Sequence, residues 1–280
     1  MSPTVFTVVI LAAIIHAIWN GMVKNFEDKV ISVSAIVFGH VPIAILVMLF
    51  LPLPTLESVP YIILSAIIHQ GYQYYLISAY KIEDLTRVYP IARGSGPIVA
   101  TLISIIFLGL IITKVQILSI FLICFGIIIL GLFSKNSFKN NKAIIYSLAT
   151  GVFIGSYSLA DGYGARISLS PLNFLGWSFI LNAMIFPFVL KSMNYSNVFS
   201  RVIKEAKLIF WLGGSISYIV YGIVVWSFTK APIPLVGALR ETSIIFALLI
   251  GTFFLKEKLT LIKIISILII FVGVALLKLF

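Results

Sequence analysis

Charged residues are scarce in this chain, and that scarcity limits what kind of protein it can be. Only 10% of its 280 residues are Asp, Glu, Lys or Arg, and only 9 are acidic. Soluble domains carry about a quarter charged residues, so an ordinary soluble domain is excluded. The one cysteine, Cys124, lies in an apolar run and has no second cysteine with which to form a disulfide framework. We expect it to be a small packing residue.

Polar stretches long enough to form a separate soluble domain are also lacking. Hydrophobic residues make up 61% of the chain. They form apolar segments of about 20 residues, each able to cross a hydrocarbon core of about 30 Å as a helix. In lipid every backbone amide needs an internal partner, and these runs are too long and too continuously apolar for the strands of a closed barrel. We therefore predict an all-α integral membrane protein with ten transmembrane spans, at residues 3–23, 30–51, 60–80, 87–110, 115–133, 142–165, 171–190, 208–229, 233–255 and 260–279.

The excess of basic residues, 20 against 9 acidic ones, lies mostly in short loops between spans. The positive-inside bias explains this better than nucleic-acid binding, and no nucleic-acid partner is expected. The first span has no basic segment before it and no small-residue cleavage site, so we expect it to be retained rather than removed as a signal peptide. Loop charge predicts that both termini lie outside the cytoplasm, because most basic loop residues fall on the side of the membrane away from the termini. That side receives Lys24, Lys29, Lys81, Arg87, Lys135, Lys139, Lys142, Lys191, Arg201, Lys204, Lys207, Lys256 and Lys258. The side of the termini receives only Lys114, Arg166, Lys230 and Lys278.

An internal repeat is visible in the spacing of matching residues. The interval from Arg93 to Arg240 also separates Thr113 from Thr260, Gly126 from Gly273, Leu130 from Leu277 and Phe133 from Phe280. We predict a first repeat at residues 1–133, a linker at 134–141 and a second repeat at 142–280. Five spans per repeat is an odd number, so the second copy must enter the membrane inverted, as in many secondary transporters.

The two matched arginines lie inside the membrane-spanning runs. The helical rise puts Arg93 roughly 10 Å below one face and Arg240 about 12 Å below the other. A charge at such depth costs about 3 kcal/mol or more, so each should face a cavity or a partner. Pro90, Pro97 and Gly237 lie nearby and are expected to loosen the helix starts, which would direct positive dipole ends at the cavity. Arginine beside a helix N-terminus suits a carboxylate, phosphate or phosphonate.

Two acids inside spans, Asp161 and Glu241, offer an alternative in which each arginine is held in an ion pair. Adjacent helical residues point about 100° apart, so we expect Arg240 and Glu241 to be poorly placed to pair directly. Asp161 is then a candidate partner for either arginine. An ion-paired arginine and a substrate-binding arginine are compatible interpretations if the substrate replaces the carboxylate at the arginine. Either acid could also carry a coupling proton.

Other polar and aromatic residues recur in mid-span. His16, Trp19 and Asn20 lie on or beside one face of the first span, where they could line a cavity or hydrogen-bond to another helix. One histidine and one asparagine are too few ligands for a metal, so neither a metal nor a cofactor is expected. Interfacial aromatic belts do not explain tyrosines in mid-span, and we predict that four of them line an aqueous cavity: Tyr72, Tyr75, Tyr218 and Tyr221.

These segments together resemble the EamA-type drug/metabolite transporter superfamily. The resemblance rests on His16–Lys24, Val88–Pro97, Asp161–Arg166 and Ala238–Ser243 and covers both halves. It implies ten helices in two inverted five-helix EamA repeats around a central cavity, with spans three, four, eight and nine and parts of one and six as its walls. It also implies alternating-access movement of small organic metabolites, often outward. For the termini it implies the cytoplasmic side, opposite to the prediction from loop charge.

The sequence as a whole predicts a multi-pass secondary transporter of the cytoplasmic (inner) membrane. Its cargo would be a small anionic or zwitterionic metabolite of the amino-acid, organic-acid or phosphonate class, and export is the expected direction. Arg93 and Arg240 would bind the acidic group, while Asp161, Glu241 and His16 would serve in ion pairing or coupling. A non-transporting receptor or assembly protein and a flippase for a lipid-linked headgroup are the alternatives. An enzyme is not expected. Spans five and ten, almost wholly aliphatic, are candidates for packing in a homodimer.

Overall fold

The computed structural model describes residues 1–24, 26–133, 140–253, 256 and 259–279, with the backbone only for 21–24. Most of the predicted linker, 134–139, lies outside these residues, as does Phe280. The described residues contain helices and no strand. A 3₁₀ turn at Leu56–Ser58 and a π-helical turn at Ile209–Gly213 accompany the α-helices, which are α1 (Pro3–Lys24), α2 (Lys29–Met48), α3 (Val59–Tyr80), α4 (Leu85–Leu108), α5 (Lys114–Leu132), α6 (Asn141–Ile167), α7 (Pro171–Ser192), α8 (Val198–Glu205), α9 (Gly214–Phe228), α10 (Ile233–Arg240), α11 (Ser243–Phe253) and α12 (Leu261–Leu279).

The prediction of an all-helical integral membrane protein is confirmed. In the described part of the chain nine helical segments are long and apolar enough to cross a membrane. Two of these segments combine neighbouring elements, the π-helical turn with α9 and α10 with α11. Helix α3 has 22 residues, but His69, Gln70 and Gln73 make it less apolar than the nine. The tenth span therefore stays a prediction.

Three local features differ from the predicted spans. The ninth predicted span, 233–255, is interrupted after Arg240, and the chain turns through Glu241 and Thr242 before α11 begins. Prolines were expected to loosen the start of the fourth span, yet α4 continues through both Pro90 and Pro97. The segment between the seventh and eighth spans forms the short amphipathic helix α8, which sequence periodicity over a few residues did not reveal.

Helices α5 and α12 pack antiparallel through matched glycines. A Cβ added to Gly126 would lie 3.1 Å from the carbonyl oxygen of Ser266, and one added to Gly273 would lie 3.0 Å from that of Ser119. Each helix begins after a threonine whose side chain accepts a backbone N–H three residues later. The two spans considered for a homodimer thus pack against each other through one face within the chain, and the homodimer itself stays a prediction.

A second reciprocal pair of contacts joins the two halves. His40 of α2 lies 3.2 Å from the Ser217 hydroxyl of α9, and Gln70 of α3 donates to Asn182 of α7 at 2.6 Å. The interval from Gln70 to Ser217 is the same as that from Arg93 to Arg240. The polar centre of the molecule therefore lies between the halves.

The helix ends separate into two faces. On the face that we call the basic face, Arg201 of α8 donates to Asp28 before α2 and to Glu205, at 2.9 Å each. The hydrogen bond from Arg201 holds the pKa of Glu205 below its ordinary value. Lys81 after α3 lies over the ring of Tyr195 after α7, 4.6 Å from its centroid, which joins two more helix ends to this face.

The opposite face joins the other helix ends. Thr55 before α3 donates to the carbonyl of Ile167 at the end of α6. Arg166 donates to the carbonyls of Phe228 and Ala231, at 2.9 and 3.0 Å, and so satisfies acceptors at the end of α9. The two faces mark the two ends of a helical bundle.

Candidate functional site

A cavity of about 870 Å³ lies between the two halves of the chain. Its walls come from α1 to α7, α9, α11, α12 and the residues around the break between α10 and α11. It extends to the basic face, where Lys29, Tyr80, Thr86 and Lys263 line it. Its volume is within the range of small-molecule binding sites.

The deep part of the cavity holds an ion cluster of Arg93, Arg240 and Glu241. The Glu241 carboxylate is fully buried and accepts from Nε and Nη2 of Arg240 through one oxygen, at 3.2 and 3.0 Å. Its other oxygen lies 2.6 Å from Nε of Arg93. One carboxylate therefore joins the arginines of the two halves, which the sequence predicted to lie at similar depth.

The expectation that Arg240 and Glu241 are poorly placed to pair directly was wrong, because it assumed a continuous helix. Arg240 is the last residue of α10, and the chain then turns. The amides of Glu241 and Thr242 donate to carbonyls three residues earlier, as in a 3₁₀ turn, and this changes the relative direction of neighbouring side chains. Proximity in sequence and the local break together produce the pair.

The two arginines are held unequally. Arg240 donates two aligned hydrogen bonds to Glu241, whereas the close contact of Arg93 with the same carboxylate lacks hydrogen-bond alignment. Nη2 of Arg93 is buried without a hydrogen-bond partner, although Arg93 lines the cavity. Two guanidinium charges share one carboxylate charge, so one positive charge is not compensated within the cluster.

The charged side chains in the described lining of the cavity are all basic. Its described lining includes Lys29, Arg93, Arg240 and Lys263 and contains neither aspartate nor glutamate. Glu241 lies behind Arg240 in this wall. Low-dielectric walls carrying one sign of charge concentrate ligands of the opposite sign. The electrostatics therefore favour an anion.

The polar residues of α1 meet α4 at this cavity. Nε2 of His16 lies 3.1 Å from the Tyr89 hydroxyl, and Asn20 donates to the same hydroxyl at 3.2 Å. The ring of Tyr89 in turn lies under the Arg93 guanidinium, 5.6 Å away. Trp19 also lines the cavity, with its indole N–H buried and without a partner. Both sequence alternatives, an interhelical hydrogen bond and a cavity-lining role, thus apply to His16 and Asn20.

The four tyrosines named from the sequence do not all reach the cavity. Tyr72 and Tyr221 line it. Tyr75 lies outside it and stacks on Phe153 of α6, with ring centroids 5.6 Å apart. Tyr218 is buried elsewhere and donates to the carbonyl of Leu172 at 2.8 Å. Spacing along a helix could not separate these pairs, because three residues in a helix turn the side chain by about 60°.

Aromatic residues missed from the sequence complete the wall. Phe179 of α7 stacks between His40 and Tyr221, with centroid distances of 4.3 and 5.8 Å. Tyr157 of α6 stacks on His69 at 4.0 Å. Tyr157 precedes Asp161 by one helical turn, and this spacing was the one signal in the sequence that could have identified it.

Asp161 is not the partner of either arginine. Its carboxylate is fully buried, and the Tyr221 hydroxyl donates to its Oδ2 at 2.6 Å. No ion pair joins it to Arg93 or Arg240 in the described residues. These residues also hold no group of three or more His, Cys, Asp or Glu side chains placed to bind a metal ion.

Comparison with known proteins gives a family for the second half of the chain and a fold for all of it. Residues 141–279 match the model of the EamA-like transporter family. No curated protein matches the sequence. Among solved structures 29 chains match. One of them is described only as a crystal structure of a protein. It superposes with a TM-score of 0.71, covering 99% of this chain and 96% of its own length, at 14% sequence identity. The two chains therefore share a fold.

Proposed function

Since this chain is an EamA-type member of the drug/metabolite transporter superfamily, we propose that it is a secondary transporter of small organic anions or zwitterions. Carboxylate-bearing metabolites such as organic and amino acids are the class we favour. The cavity between the halves is the binding site, and transport proceeds by alternating access. The observation that carries this proposal is the cluster of two arginines and one glutamate at a cavity whose described lining contains no acid.

The architecture behind the proposal is ten spans in two inverted repeats. Helix α3 is counted as a span despite its polar run, and α10 with α11 forms one interrupted span. The reciprocal contacts between α5 and α12, and those of Gln70 and Ser217, support the inversion. A two-fold axis in the membrane plane would relate Arg93 to Arg240 at the midplane, where substrates of such transporters bind.

Charge arithmetic favours a monoanionic group. With Glu241 ionised, the empty cluster carries one excess positive charge, and buried charge is costly unless it is paired. One carboxylate neutralises it and leaves Glu241 with Arg240. A doubly charged phosphate or phosphonate would reverse the sign of the cluster. Carboxylates therefore fit better than phosphonates.

Arg93 is the arginine that binds the ligand, and Arg240 holds Glu241 in place. Arg93 has a donor without a partner and a poorly aligned contact with Glu241, so it can accept a carboxylate without breaking the Arg240 pair. The start of α11 at Ser243 also lines the cavity and adds the positive end of a helix dipole. Tyr72, Tyr157 and Phe179 contact the body of the substrate.

The direction we propose is export across the cytoplasmic membrane. The cavity reaches the basic face, and the positive-inside rule assigns that face to the cytoplasm. A substrate would then load from the cytoplasmic side, with both termini outside. A reporter active on only one side of the membrane, fused to the C-terminus, tests this orientation independently of transport.

A binding and flux experiment tests the proposed function. Purified protein is screened by thermal shift against lactate, succinate, benzoate, alanine, choline and methylphosphonate, and compounds that bind are tested for flux in proteoliposomes. We expect a carboxylate to stabilise the protein and to move. Arg93→Met should reduce its flux at least tenfold, while Arg201→Met, which removes a guanidinium at the surface, should leave flux unchanged.

Three outcomes would contradict the proposal. Stabilisation and flux with choline alone would reverse the expected sign of the substrate. Binding without flux would favour a receptor over a transporter. Undiminished flux in both Arg93→Met and Arg240→Met would remove the arginines from the site.

A further inference from the structure

Asp161 is a buried acid that the anion site does not use. Its carboxylate is 0% exposed and has no cation at ion-pair distance in the described part of the chain. Oδ2 accepts from the Tyr221 hydroxyl, Oδ1 has no hydrogen-bond partner, and the Ser65 hydroxyl lies near the carboxylate. An isolated buried carboxylate is costly when ionised, and such groups take up a proton instead.

The groups that act on Asp161 come from three of the helices around it. Helix α3 contributes Ser65 and His69, α9 contributes Tyr221, and the end of α10 contributes Arg240. His69 is engaged elsewhere, since its Nδ1 lies 2.9 Å from the Ser65 carbonyl and its ring stacks on Tyr157. Arg240 is engaged with Glu241. None of these groups neutralises Asp161 through a direct ion pair.

Tyr221 connects Asp161 with the cavity. Its ring lines the cavity, 5.7 Å from the Arg240 guanidinium, and its hydroxyl donates to Asp161 at a short distance of 2.6 Å. Asp161 itself does not line the cavity, so an ammonium group of a substrate has no direct path to it. A proton can reach it through the hydroxyl.

We propose that Asp161 is a proton-binding site that exchanges with the cavity through the Tyr221 hydroxyl. Tyr221 passes its hydroxyl proton to Oδ2 of Asp161, and its oxygen takes a proton from a hydronium ion or water in the cavity. The O–H bond of Tyr221 breaks and reforms, Asp161 gains one proton, and the cavity loses one. Release follows the same steps in reverse.

If the proposed function holds, binding of the proton is coupled to transport of the anion, and this coupling rests on that proposal. An anion at Arg93 disfavours a second negative charge nearby, so anion and proton should bind cooperatively. One monoanion and one proton together carry no net charge across the membrane. Transport would then be electroneutral symport, and a metabolite gradient directed outward would drive both.

Infrared spectroscopy of the substrate-free protein tests the proton site directly. Difference spectra between alkaline and acidic samples should contain the C=O stretch of one buried carboxylic acid. The band should be absent in Asp161→Asn and present in Glu241→Gln. In Tyr221→Phe the band should persist. Its isotope shift on transfer to deuterated water should develop at least tenfold more slowly than in the wild type, because the relay hydroxyl is missing. Tyr218→Phe, a buried tyrosine outside the cavity, should exchange at the wild-type rate.

The same measurements can overturn the proposal. If the wild-type spectrum at every pH at which the protein stays folded lacked a band that Asp161→Asn removes, Asp161 would remain ionised. Equal exchange rates in Tyr221→Phe and the wild type would mean that the proton reaches Asp161 by another route. No transported compound is needed, so failure here is distinguishable from failure of the anion-transport proposal.

Discussion

Replacing Glu241 by glutamine should lower the free energy of unfolding by about 3–5 kcal/mol, the range for removing one partner of a buried ion pair. The carboxylate is fully buried and is the one acid in contact with Arg93 and Arg240 among the described residues. Without it, two guanidinium groups face each other across the polar centre with no compensating charge. Thermal unfolding in detergent, followed by circular dichroism, measures the loss.

Two further variants separate this effect from a general sensitivity to substitution. Glu57→Gln changes an exposed glutamate and should leave the unfolding temperature unchanged. Arg93→Gln combined with Glu241→Gln removes one charge of each sign and should recover part of the stability lost in the single variant. If the double variant were less stable than Glu241→Gln by the full cost of Arg93→Gln alone, the two residues would not be coupled.

Replacing Gly39 by alanine should destabilise the protein by about 1–3 kcal/mol, and replacing it by valine should cost more. A Cβ at Gly39 would lie 2.1 Å from the carbonyl oxygen of Phe210, and one at Gly214 would lie 2.6 Å from the Cα of Gly39. Both neighbours are backbone atoms, so the helices must separate to admit a methyl group. Thermal unfolding and the yield of monodisperse protein measure the effect.

Gly237 provides the matched control. A Cβ there meets no atom within 4 Å, and the residue lies inside α10. Gly237→Ala should therefore be neutral or stabilise the protein by about 0.5–1 kcal/mol, since alanine is the better helix former. If Gly39→Ala were as well tolerated as Gly237→Ala, the close approach of α2 to the chain before α9 would be wrong.

The helical membrane fold was predictable because length and apolarity are properties of local sequence. That Arg93 and Arg240 lie near each other was predictable for the same reason, since helical rise converts residue number into depth. Matched spacing singled out Gly126 and Gly273, and both lie where α5 and α12 approach closely. The identity of the partner helix could not be derived from it.

The contacts inside the site depended on two features that sequence patterns do not encode. One is the turn at Glu241, because a helix can break without a proline or a glycine at the break itself. The other is helix rotation, which brings Tyr72 and Tyr221 to the cavity and leaves Tyr75 and Tyr218 outside. Phe179 was missed because span seven was not expected in the walls, and Tyr157 was missed although part of span six was.

The break between α10 and α11 also has a mechanical consequence. Its amides bond to carbonyls three residues back, so the joint lacks the full ladder that stiffens a continuous helix. Helix α11 can therefore tilt about Glu241 and Thr242 while α10 keeps its shape. Glu241, the acidic residue of the charge cluster, is thus also part of the hinge. A ligand that draws Arg93 away from Glu241 therefore acts on the helix at its least rigid point.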